Sequence, residues 1–211
     1  LRRHGDLSSE VAHEIKNPLT AILCSAEALD LMLADKIDPS YRQTLHYIKE
    51  YGDNLLRLVS DFLDLNRSDA GHLEAVVEPT DLGAVARAVA GLLESTALRK
   101  QVTLNVRSQG GWGSCDRRQL KQVLFNLLHN AVKFTPEGGT IDLEVSGVLD
   151  GRVEITVRDN GCGIPDRELP TIFDPYAQLD AGIRSGGAGL GLALCKRLVE
   201  LSGGTIRAES V

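Results

Sequence analysis

The sequence predicts a multidomain chain, α followed by α+β. An antiparallel helical hairpin is expected over residues 1–68, a linker over 69–80 and a mixed α/β unit over 81–211. Three observations carry this. An apolar stripe at helical spacing breaks at a proline and then restarts. Beyond the linker, strand-like alternation interleaves with helical periods. Glycine-bearing loops separate the elements of the second part only.

The first stripe is Leu7, Val11, Ile15, Leu19, Ile22, Ala26, Leu29 and Leu33, with steps of three or four. A polar break with a proline follows, Asp35 to Ser40. Tyr41, Leu45, Ile48, Leu55, Val59 and Phe62 resume the stripe, Gly52 fills the position between Ile48 and Leu55, and Leu56, Leu63 and Leu65 widen it. Two long helices joined by a short break make an antiparallel hairpin. One hairpin alone leaves much of its stripe wet. Pairing with a second copy gives a four-helix bundle, so a homodimer is expected.

In the second part a helix is expected from Asp81–Leu82 to about Arg99 and a strand at Val102–Val106. A further helix is expected over roughly Asp116–Lys133, then strands at Thr140–Val145 and Arg152–Arg158. A glycine-bearing loop leads to a helix from about Ala188 to Leu201, and a last strand is expected at Thr205–Ala208. The sum is a sheet faced by helices.

Composition narrows the function classes. Hydrophobic residues make up 43% and charged residues 25%, which suits a folded core rather than disorder. A net charge of −6 with no basic block argues against a nucleic-acid partner. Cys24, Cys115, Cys162 and Cys195 form no CxxC pair, so plain thiols in a reducing, cytoplasmic compartment are expected. No apolar run approaches the ~20 residues needed to cross a bilayer. The chain opens without Met and stops inside an expected strand. It is therefore read as a piece of something longer, with any membrane contact lying outside these residues.

The first chemical cluster is His13-Glu14-Ile15-Lys16-Asn17-Pro18. His13 lies two residues from both Val11 and Ile15, which places it nearly opposite the stripe and toward solvent. Asn17 shares its face one turn on. Pro18 cannot donate to the Glu14 carbonyl, which predicts a kink beside His13. A neutral imidazole is a nucleophile near neutral pH, and an adjacent carboxylate can take its proton. Taken alone, the cluster reads more readily as a solvated helix face with an ordinary histidine.

Three more clusters lie in the second part. Asn126, Asn130 and Lys133 fall on one helical face beside the apolar Leu120, Leu124, Leu127 and Ala131. Amide oxygens suit Mg²⁺, and Lys133 supplies a point charge for a phosphate; a solvated polar face is the bland alternative. Asp159-Asn-Gly161-Cys-Gly163-Ile-Pro165 follows a strand. Its glycines admit close approach of a ligand, and Asp159 can accept from an exocyclic amine; a turn closing a strand is the alternative. Gly186-Gly187-Ala-Gly189-Leu-Gly191 leads into a helix, an arrangement that binds phosphate without being a P-loop or a Rossmann fingerprint. Between these loops lies a stretch of about 20 residues. It holds Phe173-Asp-Pro-Tyr176 and Arg184, and reads as a lid or as an ordinary long loop.

In order and spacing these clusters resemble the transmitter core of two-component sensor histidine kinases over essentially the whole chain. SSEVAHEIKNPLTAI resembles the H box, NLLHNAVKFTPEGG the N box, DNGCGIP the G1 box, IFDPYAQ the F box and GGAGLGLA the G2 box. The second unit is similar to the ATP-binding domain of the GHKL group, which implies a Bergerat-type α/β sandwich with a mixed sheet. The resemblance implies that His13 is the phosphoacceptor and Glu14 its general base. Asn17 fits the residue that places water for dephosphorylating a partner regulator. Asn126 and Asn130 fit Mg²⁺ ligands, Lys133 a phosphate contact and Asp159 the adenine contact. Gly161, Gly163, Phe173, Arg184, Gly187, Gly189, Leu190 and Gly191 fit the surroundings of the nucleotide. Tyr176 stands where the F box often has a second Phe, and is expected to keep an aromatic anchor. The implied activity is ATP-dependent autophosphorylation followed by transfer to a response regulator receiver domain. A GHKL-type ATPase without a phosphohistidine, and a kinase-like dimeric ATP-binding scaffold, are the rival readings.

Overall fold

The computed structural model describes residues 2–33, 38–69, 75–147, 151–178 and 189–210. The chain forms two compact units, Leu1–Leu73 and Glu74–Val211.

The first unit is a hairpin of helices α1 (Arg2–Met32) and α2 (Pro39–Asp69). Pro39 opens α2, at a position where a missing N–H breaks no helical bond. The amides of Tyr41 and Arg42 then donate to the Asp38 carbonyl. The helices run antiparallel. Lys49 reaches Asp30 at 3.4 Å. Gly52 is buried against Leu23, and a Cβ there would stand 2.5 Å from Leu23 Cδ2. The glycine in the stripe thus lets the helices approach closely. Helix α1 continues through Pro18. Just beyond it, the Thr20 hydroxyl donates to the Lys16 carbonyl at 2.8 Å, a contact that favours bending.

The hairpin buries little. Ala26, Leu63 and Asp61 are inside, with Arg57 one turn before Asp61. Burial pushes the Arg57 guanidinium below its ordinary pKa, and the Asp61 charge partly restores it. Ile15, Ile22 and Leu29, and likewise Tyr41, Ile48, Leu55 and Phe62, are exposed. Both sets advance by seven residues, the repeat of a helix-packing seam.

The second unit opens with β1 (Glu78–Asp81), which takes up the last residues of the expected linker. It pairs antiparallel with β3 (Trp112–Cys115). Between them run α3 (Leu82–Arg99) and β2 (Thr103–Ser108). Then come α4 (Arg117–Phe134), β4 (Thr140–Val145) and β5 (Ile155–Asp159). A short 3₁₀ turn spans Leu169–Thr171, and α5 covers Gly191–Leu201. Strand β4 is central, parallel to β2 and antiparallel to β5, so the sheet is mixed.

Alternation along β4 sets the two layers. Ile141, Leu143 and Val145 are fully buried under α3 and α4 and meet Val85, Val89, Leu93, Leu124 and Leu128. On the other face Asp142 accepts from Asn105 at 3.0 Å. Asp side chains start both helices that cover the sheet. Asp81 caps α3 through Ala84 N at 2.9 Å. Asp116 caps α4 through Arg118 N and Gln119 N at 2.8 and 3.1 Å. Buried Asp116 also holds Val76 N at 3.1 Å, pinning the entry of the chain into this unit.

One expected element is absent among the described residues. Thr205–Ala208 forms no ladder. Side chains tie this segment instead: Arg207 pairs with Glu154 at 3.0 Å, and Ser210 Oγ accepts from Ile164 N at 2.8 Å. Alternating apolar residues make a strand only when backbone groups find a ladder partner.

Candidate functional site

Helix α4 organises the site in the second unit. Its apolar residues lock it into the core, and its polar face carries Asn126, Asn130 and Lys133. Asn126 is buried, and its Nδ2 has no hydrogen-bond partner among the described residues. A buried amide group left unpaired costs about 1–3 kcal/mol, so an orphan of this kind marks a place for a ligand or water. Directly over it lies the start of α5: a Cβ on Gly191 would stand 3.7 Å from Asn126 Cγ and Nδ2. The helix start brings N–H groups and a positive dipole end to the same spot. Asn130 and Lys133 continue the face, both half-buried, with the Lys133 ammonium 5.0 Å from the Phe134 ring centroid.

The far end of α4 meets the loop after β5. Asp159 Oδ1 accepts from Gly161 N at 2.9 Å, which leaves its second oxygen to meet a ligand donor. A Cβ on Gly161 would stand 2.6 Å from Asp159 Oδ1 and 2.8 Å from the Phe134 carbonyl, so only glycine fits. Gly163 has φ +67°, a conformation that side chains disfavour. Asn160 Oδ1 accepts from Thr140 N at 2.8 Å and closes the loop onto β4.

A third segment joins at Gly189 (φ +68°), whose carbonyl accepts from Tyr176 N at 2.9 Å. Phe173 is half-buried and its neighbour Ile172 buried. Tyr176, expected to anchor the segment, is 61% exposed. Its backbone, at φ +65°, holds the segment instead, through the amide donated to Gly189. Leu190 is 3% exposed, so what it offers a ligand is its main chain. Of the stretch read as a lid, which begins before Phe173, the part from 179 on lies outside the described residues, and with it Arg184 and Gly187.

The structure thus brings Asn126 to Gly191, and Asp159 and Gly161 to the end of the same helix. In the hairpin, His13 sits in α1, with Glu14 and Asn17 exposed beside it. The expected solvent-facing imidazole of His13 is a side chain outside the described residues. Among the described residues no three His, Cys, Asp or Glu side chains cluster to hold a metal. No described helix is long and apolar enough to cross a membrane. Sequence reasoning missed two supports. Lys100 Nζ donates to the Val132 and Lys133 carbonyls at 2.8 and 2.6 Å and fixes the end of α4. Ser210 holds the glycine loop. Neither lies in a recognisable motif.

Comparison with known families decides the class. Residues 3–71 match the His Kinase A (phospho-acceptor) domain. Residues 115–211 match the histidine kinase-, DNA gyrase B-, and HSP90-like ATPase. The chain belongs to the histidine kinases. It is 36% identical over 212 residues to the circadian input-output histidine kinase CikA of Synechococcus elongatus, covering 98% of this chain and 28% of the relative. It is 35% identical over 209 residues to the cell-division control histidine kinase PdhS of Brucella suis, covering 91% and 20%. Among solved structures, full-length ShkA in complex with AMPPNP superposes with a TM-score of 0.72 at 31% identity, covering 97% of this chain and 44% of that one. The chain spans between about a fifth and two fifths of the length of the curated relatives it matches.

Proposed function

We propose that this chain uses ATP to phosphorylate its own His13 and passes the phosphoryl group to an aspartate of a response regulator receiver domain. The observation that carries the reading is the buried Asn126 Nδ2, unpartnered among the described residues, beneath the glycine-started helix α5, on the helix whose other end abuts Asp159 and Gly161. That α4 face can receive a polyphosphate at one end and an adenine amine at the other. The AMPPNP in the name of the similar ShkA structure supports the same class of ligand.

In this mechanism an imidazole nitrogen of His13 attacks the γ-phosphorus of ATP in line. The bond from that phosphorus to the β–γ bridging oxygen breaks, ADP leaves, and Glu14 takes the proton from the other ring nitrogen. Asp159 accepts from the adenine amine, Lys133 neutralises phosphate charge, and the loop amides around Gly189 and Gly191 position the chain of phosphates. Asn126 and Asn130 would hold Mg²⁺ through amide oxygens; the ion supplies further charge neutralisation on the phosphates. In the second step the N–P bond breaks as the regulator's aspartate forms its O–P bond. Asn17, one turn from His13, would place water for the reverse task of dephosphorylating the regulator. Two copies would pair through the exposed heptad seams of α1 and α2.

The test is incubation of the chain with γ-labelled ATP and Mg²⁺, beside His13→Gln. Label that is lost in acid, kept in alkali and absent from the variant is expected. Label on His13→Gln overturns the assignment. ATP turnover without bound label points to an ATPase of the same group, and nucleotide binding with neither points to a dimeric scaffold.

A further inference from the structure

Side-chain hydrogen bonds tie down the loop after β5. Asn160 Oδ1 holds Thr140 N, and Asp159 Oδ1 holds Gly161 N. Both ties act on the first half of the loop and come from adjoining residues, Asp159 at the end of β5 and Asn160 next to it. The third comes from a separate part of the chain: Ile164 N donates to Ser210 Oγ at 2.8 Å. The peptide concerned follows Gly163, at φ +67°, a conformation that glycine reaches because it has no Cβ. A loop carrying two glycines keeps one shape only if something outside it supplies the constraint. The segment that bears Ser210 makes no ladder of its own, but Arg207 secures it to Glu154 at 3.0 Å.

We infer that Ser210 is a positioning residue for nucleotide binding: its hydroxyl fixes the Gly163–Ile164 peptide and so pre-forms the glycine loop beside Asp159. The inference rests on the ATP-binding reading above. Ser210 touches no reacting atom. It raises the fraction of molecules whose loop is ready for the ligand, and apparent affinity scales with that fraction. Ser210 and Ile164 are both half-buried, so water can replace the lost partner and the fold survives the loss.

Thr and Val have nearly the same shape and differ by the hydroxyl, so Ser210→Thr and Ser210→Val isolate the hydrogen bond. Calorimetric titration of the full chain with ADP and Mg²⁺ is the measurement. Ser210→Thr is expected to bind like the parent, and Ser210→Val roughly three- to tenfold more weakly, the worth of one such bond. The KM for ATP in the labelling reaction should rise by the same factor, with the saturating rate unchanged. Equal ADP affinity for the Thr and Val variants overturns the inference. So does a fall in saturating rate at constant KM. A parent chain that binds no ADP overturns the ATP reading itself, before any variant is compared.

Discussion

Ile22 in the hairpin is 55% exposed, whereas Leu143 in the second unit is fully buried. The contrast holds across both units. Ile15, Leu29, Ile48, Leu55 and Phe62 are each more than 40% exposed, while Leu124, Leu128, Ile141 and Val145 are at 1% or less. A fully buried side chain of this size stabilises a fold by about 1.5–3 kcal/mol, and an exposed one gives up most of that. The second unit closes a core by itself, because a sheet gives two covering helices a broad apolar floor. The hairpin has two stripes and nothing broad to lay them on. The one is a finished domain; the other, in the dimer proposed above, would be half of a core whose complement is a second hairpin.

The sharpest way to break this comparison is to charge the seam. Ile22→Glu with Leu55→Glu is expected to turn a dimer into a monomer in light scattering, weakening association by on the order of a thousandfold or more, since every copy buries two unpaired charges. ADP affinity should not move. Parental mass for the double variant would show that the seam is not the interface. A core truncation tests the other side. Leu143→Ala is expected to cost about 2–5 kcal/mol in denaturant unfolding of the second unit, with the dimer mass retained. Loss of the dimer along with the core would mean that the two units are not independent in this respect.

The smallest effect concerns Asp116. Burial pushes its carboxyl up, but the amides of Gln119, Val76 and Arg118 outweigh this and hold it below the usual carboxylate range. A depressed pKa in the folded state contributes stability above the unfolded value of about 4, and that contribution fades as pH falls through the folded one. Asp116→Ala should therefore cost about 1–2 kcal/mol at neutral pH, shrinking as the pH falls below the ordinary carboxylate value of about 4. A penalty that does not change with pH would assign it to packing rather than to the charge.

Much of this was legible in the chain. The steps of three and four from Ile15 to Leu29, and the alternation at Thr140–Val145, each follow from one local period. Strands β1 and β3 were not legible: four residues each, with Pro79 in one and Gly113 in the other, they carry no pattern apart from their pairing. Thr205–Ala208 failed the other way, because alternation says nothing about whether a ladder partner is there. In the site, Asn126, Asp159 and Gly191 could be singled out because each belongs to a motif with its own spacing. Ser210 and Lys100 could not. Each acts on a loop or helix end far away in sequence, and a lone serine or lysine leaves no trace of its distant partner.

Helix α4 is clamped at both ends, by the Asp116 carboxylate at its start and the Lys100 ammonium on its last carbonyls. Between Asn126, level with Gly191, and Phe134, level with Gly161, it advances eight residues, about 12 Å. A rod seized at both ends and bedded along its length is a gauge. The gap between the two loops cannot shorten for a stubbier molecule or stretch for a longer one without unseating a clamp. The chain would therefore select its ligand by span as well as by chemistry, and that span is set by eight helical residues rather than by either loop proposed to touch the ligand.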